Sequence, residues 1–296
     1  MPQNTQSNFR KTKLSILGLS ILTLSGCLLQ NHYMRHEVAH RVGHAAWMLD
    51  REIPAAPFSL TAYERIHERG GTANLYIEGD GSLERGSQDP SPKNPVALHL
   101  ASKDKADNVI YIARPCQYSG LLDGSDRCPV EEWQGRLYAP EVTRSYNTAM
   151  NEIKKRYNIS GFNLIGFDGG AAIAAELAGQ RSDILSLRTV AGKLDKIRNP
   201  GSLDDVPQRH FIGGQDEEVP PSVLHSYMKS VIGPTKCADY TFIQEAAHME
   251  GWVSKWPELL REPVTCHGEP KGFDALELLP YDPPGVFTAR PKPAKP

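Results

Sequence analysis

The sequence predicts an α/β protein built on a doubly wound, mainly parallel sheet. Short apolar segments typical of buried strands alternate with longer segments that have helical periodicity. Examples of the first kind are Phe162–Phe167 and Gln208–Gly213. Because parallel strands are joined by crossover helices, this alternation favours helices on both faces of one sheet. In such sheets a functional site lies at the C-terminal edge of the strands.

The N-terminal segment predicts export. Basic residues precede an apolar run over residues 14–24, which is too short to span a bilayer. The run ends in Leu-Ser-Gly-Cys, which resembles a bacterial lipobox with Cys27 as the lipidated residue. We therefore expect residues 1–26 to be a signal peptide and Cys27 to anchor the chain to a membrane. A plain secretory signal or an uncleaved anchor is the alternative. Leu28 is not the aspartate that commonly retains lipoproteins at the inner membrane, which favours the outer membrane.

Residues 27–56 are expected to form a linker that contains an amphipathic helix from residue 31 to about residue 53. His36 to His40 match the zinc-protease pattern H-E-x-x-H, and His44 follows four residues later. On a straight helix residues 36 and 44 lie roughly 12 Å apart, so the three imidazoles cannot converge on one ion. We expect no catalytic metal here and interpret the histidines as a solvated face. A two-histidine clip for an adventitious metal stays open.

The segments that follow are predicted in order from their hydrophobic periodicity and from the residues that mark the ends of helices and strands. The strands at residues 58–66 and 72–78 are expected to pair with each other. Residues 114–138 are expected to form a long loop closed by a disulfide. The remaining elements are helices at 94–102, 140–157, 170–179 and 251–261, and strands at 108–113, 162–167, 186–192, 208–213 and 239–244.

A tight strand-to-helix corner lies at Gly166-Phe167-Asp168-Gly169-Gly170. The strand ends and the helix begins within one or two residues, so the corner residue must take a strained backbone conformation with small neighbours around it. The sequence holds no G-x-S-x-G, so Asp168 has no serine competitor for this corner. By itself the pentapeptide also fits an ordinary βα turn.

Two further polar residues are expected at the same edge of the sheet. Asp216 follows the strand that ends at Gly213, in Gln-Asp-Glu-Glu-Val-Pro, and His248 follows the strand at residues 239–244. Either residue alone would be read as solvated. Together they follow Asp168 in the chain order nucleophile, acid, base.

These motifs resemble those of the α/β-hydrolase superfamily, and in particular its exported bacterial lipoprotein members, over about residues 58–262. The resemblance implies a catalytic domain at 57–266 with Asp168, Asp216 and His248 as its catalytic residues. Glu78-Gly79-Asp80-Gly81 resembles the H-G-G-G turn that supplies an oxyanion donor, although a simple turn is the alternative. The implied oxyanion donors are the backbone N–H groups of Gly79, Asp80 and Gly169. Too few residues lie between Gly192 and Asp216 to hold a large cap domain.

Aspartate at the corner changes the expected chemistry. A carboxylate is a poor nucleophile toward an ordinary ester, because it would have to expel a far more basic alkoxide. Haloalkane dehalogenases and epoxide hydrolases, which belong to the same superfamily, use aspartate to attack saturated carbon. We therefore expect a hydrolase of a small ester, epoxide or related substrate. The alternative is a catalytically silent hydrolase fold that serves as a binding or structural lipoprotein. With carboxylates on both sides, the pKa of His248 should rise.

Composition excludes several other functions. The chain has 33 basic and 35 acidic residues and no basic run beyond the N-terminus, so a nucleic-acid partner is not expected. It has neither a G-x-G-x-x-G nor a P-loop pattern, and no cofactor is expected.

Proximity along the chain favours disulfides Cys116–Cys128 and Cys237–Cys266, which suit an oxidising compartment. Residues 267–296 are Pro-rich and are expected to form an irregular tail. The sequence does not predict the oligomeric state.

Overall fold

A computed structural model describes residues 33–81, 89–119, 128–198, 203, 205–229 and 237–266. The expected signal peptide, Cys27 and the Pro-rich tail lie outside the described residues. Within the described ranges, no helix combines the length and apolar character needed to cross a membrane.

The described residues form one eight-stranded sheet with the order β1-β2-β4-β3-β5-β6-β7-β8. β1 pairs antiparallel with β2 and β2 antiparallel with β4, whereas the pairs from β4 through β8 are parallel. The predicted fold class is therefore confirmed, and no large cap domain is evident among the described residues. The strands are β1 (Leu49–Ala55), β2 (Phe58–Ile66), β3 (Ala73–Ile77), β4 (Asn108–Ile112), β5 (Phe162–Phe167), β6 (Ile184–Val190), β7 (Gln208–Gly213) and β8 (Ala238–Ile243).

Helices cover both faces of the sheet. One face packs against α4 and α5, and the other against α1, α2 and the Trp-rich segment around α7. Each face has its own cluster of buried apolar side chains, as expected for a sheet buried on both sides. The helices are α1 (33–45), α2 (Val96–Lys103), α3 (Val130–Gln134), α4 (Pro140–Tyr157), α5 (Gly169–Gln180), α6 (Pro221–Tyr227) and α7 (Trp256–Leu259).

The N-terminal helix is shorter than the sequence predicts. α1 ends at residue 45, the chain turns through Trp47, whose φ is 59°, and β1 begins at Leu49. Ile53 and Ala55 are buried whereas the residue between them is exposed, which is the two-residue period of a strand. Pairing of the whole of β1 with residues 58–64 of β2 outweighs the helical spacing of the apolar residues further upstream.

The predicted pairing of the second and third strands is wrong. β2 pairs with β1 and β4, and β3 lies between β4 and β5 in a parallel arrangement. The helix α2 carries the chain from β3 to β4, and β4 lies between β2 and β3, so these two consecutive strands are not neighbours in the sheet. On its other side β3 pairs with β5, which places the end of β3 beside the end of β5, where Asp168 follows.

Both expected disulfides are present, Cys116–Cys128 and Cys237–Cys266. The first closes part of the segment predicted as a loop, although α3 (Val130–Gln134) also lies within that segment. The second joins the residue before β8 to the end of the described chain, beyond α7.

The junction of β5 and α5 needs its glycines. A Cβ atom at Gly170 would lie 2.4 Å from the backbone oxygens of both Ile77 and Glu78, and one at Gly166 would lie 2.4 Å from Cα of Ala171. α5 therefore packs directly against the ends of β3 and β5, and the corner between β5 and α5 is fixed.

Candidate active site

Asp168 occupies the corner between β5 and α5 with φ 49° and ψ −122°, a strained conformation for a residue with a side chain. Three backbone hydrogen bonds hold it there. Its N–H donates to the carbonyl of Val190 at 3.0 Å, and its own carbonyl accepts from the N–H groups of Ala171 at 3.1 Å and Lys193 at 3.0 Å. The surrounding backbone thus fixes the direction in which the Asp168 carboxylate points.

The predicted acid and base lie next to that corner. Asp216 follows β7 and His248 follows β8, and the parallel register of these two strands brings the two loops together. Nδ1 of His248 lies 3.1 Å from each carboxylate oxygen of Asp216. Asp216 is fixed in turn by the backbone N–H groups of Glu218 and Val219, which donate to its Oδ1 at 3.0 and 2.8 Å.

The other ring nitrogen of His248 faces the corner. Nε2 lies 3.3 Å from Oδ1 of Asp168, so the structure brings Asp168, His248 and Asp216 into one chain of side chains. All three are buried, with 5%, 7% and 6% of their surface exposed. The indole of Trp252 donates to the carbonyls of Ala247 and His248 and thereby supports the histidine loop.

The Asp168 carboxylate has two further partners. Its Oδ2 accepts the backbone N–H of Asp80 at 2.9 Å, and its Oδ1 forms an ion pair with Nζ of Lys193 at 2.7 Å. The N–H of Asp80 is one of the three predicted oxyanion donors. In this structure it holds an oxygen of the corner residue itself.

Of the other two predicted donors, Gly79 already has a partner for its N–H. The N–H of Gly79 donates to the Glu78 carboxylate at 2.9 Å, so it is not directed at Asp168. Glu78 is buried and also accepts from Ala97 at 3.3 Å, and burial raises the pKa of Glu78 to about 7 despite these bonds. Gly169 packs against the side chains of Asp80 and Tyr138. A Cβ on Gly169 would lie 1.9 Å from Oδ1 of Asp80 and 2.5 Å from the Tyr138 hydroxyl.

Sequence reasoning missed the side chains that surround Asp80. Its carboxylate pairs with Arg114 at 2.9 Å and Lys193 at 3.1 Å, and it accepts the hydroxyl of Tyr138 at 2.6 Å. Lys193 therefore bridges Asp80 and Asp168. Arg114 and Lys193 follow β4 and β6 closely, so the rule that placed Asp216 and His248 at the C-terminal edge would have found these two residues as well. We refer to Arg114, Asp80, Lys193, Asp168, His248 and Asp216 as the charged chain.

The charges of this chain stabilise one another. Burial disfavours an ionised imidazole, but the hydrogen bonds and negative charges of Asp168 and Asp216 outweigh it and raise the pKa of His248 to about 10. Burial likewise opposes ionisation of Asp168, but His248 and Lys193 hold the pKa of Asp168 below its usual value. The neighbouring carboxylates raise the pKa of Lys193 in spite of its burial. At neutral pH, His248 is therefore a cation that lies between two carboxylates.

No protein-family model matches the chain, and no curated protein matches it in sequence. Solved structures do match. A dienelactone hydrolase from Anabaena variabilis is 14% identical, with a TM-score of 0.53 and coverage of 72% of this chain and 94% of that one. An α/β serine hydrolase homologue from Coxiella burnetii is 16% identical, with a TM-score of 0.51 and coverage of 71% and 93%. A bacterial membrane phospholipase A, described as a virulence factor, is 13% identical, with a TM-score of 0.51 and coverage of 84% and 98%.

These similarities agree with the mostly parallel eight-stranded sheet and its flanking helices. At such identities a structural match establishes the fold and leaves the chemistry to be argued from the side chains. The described domain therefore has the α/β-hydrolase fold.

Proposed function

We propose that this protein is a hydrolase in which Asp168 attacks a carbon electrophile of a small molecule, with His248 and Asp216 completing the reaction. The observation that carries the proposal is the orientation of one carboxylate. The backbone N–H of Asp80 holds Oδ2, while Oδ1 faces Nε2 of His248 at 3.3 Å. One oxygen is thus fixed and the other is directed at the base that a second step requires.

The first step suits a saturated carbon such as that of an epoxide. Oδ1 of Asp168 forms a bond to the carbon, the ring C–O bond breaks, and the released oxygen takes a proton. We assign that proton to Lys193, whose ammonium group lies 2.7 Å from Oδ1 and would deliver it through water, because the released oxygen departs on the side of the carbon opposite Oδ1. The product is an alkyl ester on Asp168 and a neutral Lys193.

The second step needs a neutral His248. Esterification removes the negative charge of Asp168, which is one of the two charges that raise the pKa of His248. His248 can then pass its proton through solvent to Lys193. In its neutral form it takes a proton from the water that attacks the ester carbonyl, and it returns that proton to the departing alcohol oxygen. Asp168 is released as a carboxylic acid and passes its proton to His248, which restores the carboxylate and the imidazolium. The net reaction is the addition of one water to the epoxide.

A covalent trap tests this proposal. The purified protein is incubated with short epoxides, haloalkanes and acyl esters, and turnover is measured beside Asp168→Asn, His248→Ala and Lys193→Met. We expect turnover of an epoxide or haloalkane, its loss in Asp168→Asn, and an adduct on the Asp168 peptide of His248→Ala in mass spectrometry. Lys196→Met is the matched control for Lys193, because Lys196 lies in the same turn and pairs with exposed Asp195. Absence of both turnover and adduct for every substrate class would overturn the proposal.

A catalytically silent fold is the second candidate, and the pairing of Asp168 favours it. Both carboxylate oxygens have partners, and the N–H of Asp80 is already engaged. This candidate predicts a native protein inactive on every class, together with esterase activity in Asp168→Ser, where the N–H of Asp80 becomes available to an oxyanion. Turnover of an epoxide or haloalkane by the native protein would exclude the silent fold.

We also propose that the chain is an envelope lipoprotein anchored through Cys27, with the outer membrane as its location. The support is the sequence of the N-terminal segment, in which basic, apolar and small residues precede Cys27 in the order a lipoprotein signal requires. We expect the native chain to fractionate with membranes and to incorporate labelled palmitate. Cys27→Ser should do neither. A native chain that is as soluble as Cys27→Ser would contradict the anchor.

A further inference from the structure

A cluster of three metal-ligand side chains lies far along the chain from the candidate active site, where α1 meets β1. It consists of His40, His44 and Asp50, and one ligand atom from each lies within 4.8 Å of the other two. Nε2 of His44 is 3.0 Å from Oδ1 of Asp50, and Nε2 of His40 is 3.9 Å from the same oxygen. The two imidazole rings lie against each other in a tilted arrangement, and their centroids are 3.7 Å apart.

The fold produces this convergence through the turn that the sequence does not predict. His40 and His44 are one helical turn apart and lie on the same face of α1. The helix ends at residue 45, the chain reverses through Trp47, and Asp50 enters as the second residue of β1. Asp50 then faces back toward the last turn of the helix.

Both elements are held by the domain. Ala39, next to His40, and Met48, two residues before Asp50, are fully buried, and Gly43 packs against the ring of Tyr63. The cluster thus spans two elements whose backbones are already fixed. Small rotations of exposed side chains would be enough to bring the three donors onto one ion.

The H-E-x-x-H pattern does not describe this cluster. Nε2 of His36 lies 2.7 Å from the carbonyl oxygen of Tyr118, so the first histidine of the pattern faces away from the other two. Glu37 pairs with Arg41 at 2.6 Å. The ligand that replaces His36 is Asp50, which the motif does not include.

We propose that His40, His44 and Asp50 bind a divalent transition-metal ion of the Zn²⁺ class. Two imidazole nitrogens and one carboxylate oxygen form a donor set that suits Zn²⁺, Co²⁺, Ni²⁺ and Cu²⁺, whereas Mg²⁺ and Ca²⁺ prefer oxygen ligands alone. Water would complete the tetrahedral coordination, because the three side chains are 41–50% exposed.

The protonation states favour binding as well. Burial opposes ionisation of Asp50, but its hydrogen bond with His44 and the nearby imidazoles lower its pKa, so Asp50 is a carboxylate at neutral pH. Both histidines must be neutral to bind a metal, so metal binding releases any proton that they carry. The bound ion joins α1 to β1 and acts as a structural clip that is separate from the charged chain.

Metal titration of the full chain tests the proposal. Protein freed of metal by chelator is titrated with Co²⁺, and the visible absorption of tetrahedral Co²⁺ is recorded. Zn²⁺ is then used to displace it and to measure the change in Tm. We expect a tetrahedral Co²⁺ spectrum at one equivalent, a Tm that rises with Zn²⁺ concentration, and loss of both effects when a chelator is added.

Single variants assign the ligands. His40→Gln, His44→Gln and Asp50→Asn should each weaken Zn²⁺ binding by about tenfold or more, since each removes one of three ligands. The readout is the metal-dependent change, so a shift in the Tm of the metal-free protein does not affect it. His67→Gln is the matched control, because His67 is exposed just after the end of β2 and lies outside the cluster. Equal binding in all variants would assign the ion elsewhere and overturn the proposal. No Tm shift of the native chain at about 1 mM Zn²⁺ would overturn it too.

Discussion

Arg114→Met is expected to lower the free energy of unfolding by about 3–5 kcal/mol. The side chains of Arg114 and Asp80 are only 1% and 5% exposed and lie 2.9 Å apart. Removal of the guanidinium leaves a buried carboxylate with Lys193 as its remaining cation, and it also removes the hydrogen bond to the carbonyl of Leu137. Urea unfolding of both proteins measures the difference. The dependence of the free energy of unfolding on urea concentration should be the same in the two proteins, as expected if both unfold in a single transition.

Arg136→Met is the matched control for this prediction. Arg136 also pairs with carboxylates, at 3.4 Å from Glu132 and 3.1 Å from Glu141, but its side chain is 49% exposed. Its replacement should cost about 1 kcal/mol or less. If the unpaired carboxylate causes the loss at Arg114, the double variant Arg114→Met/Asp80→Asn should be less destabilised than Arg114→Met alone. Equal losses in Arg114→Met and Arg136→Met would contradict the assignment of a buried ion pair.

Asp168→Asn is expected to lower the pKa of His248 from about 10 toward its ordinary value of 6.5. The substitution keeps the size of the side chain and the tolerance for positive φ, and it removes the negative charge 3.3 Å from Nε2. Asp216 remains, so part of the elevation should persist. NMR titration of the His248 ring gives the pKa in each protein, with Asp195→Asn as a control that removes an exposed carboxylate from the turn next to Lys193.

The same pKa makes stability depend on pH. Because the folded-state pKa of His248 lies above its ordinary value, its stabilising contribution is fully present below about pH 6.5 and is lost as pH rises through about 10. The native protein should therefore lose more stability between pH 7 and 10 than Asp168→Asn does. An unchanged His248 pKa in Asp168→Asn, or parallel stability curves for the two proteins, would show that the imidazole is not charged between two carboxylates.

Sequence patterns predict the parallel part of this protein well. β5, β7 and α4 have the predicted bounds, because an apolar run of strand length or a long amphipathic helix has few competing interpretations. The convergence of Asp168, Asp216 and His248 follows from one topological rule, since parallel strands end at the same edge. Their catalytic roles remain predictions.

The parts that sequence reasoning missed depend on pairing and on side-chain partners. The spacing of residues 38–49 fits a helix, and only the register with β2 reveals that the chain has turned and entered β1. Lys193 and Asp80 could be placed near the corner by topology. Their pairing could not, because a buried ion pair depends on distances of a few ångströms between side chains from different strands.

The side chains of the charged chain carry three negative and three positive charges at neutral pH. Opposite charges this close together cancel at distance, so the centre projects only a weak long-range field into solvent. Encounter with an ionic molecule would then receive little electrostatic steering, and its association rate should change little with ionic strength. Molecules without net charge would approach this centre as readily as ions do.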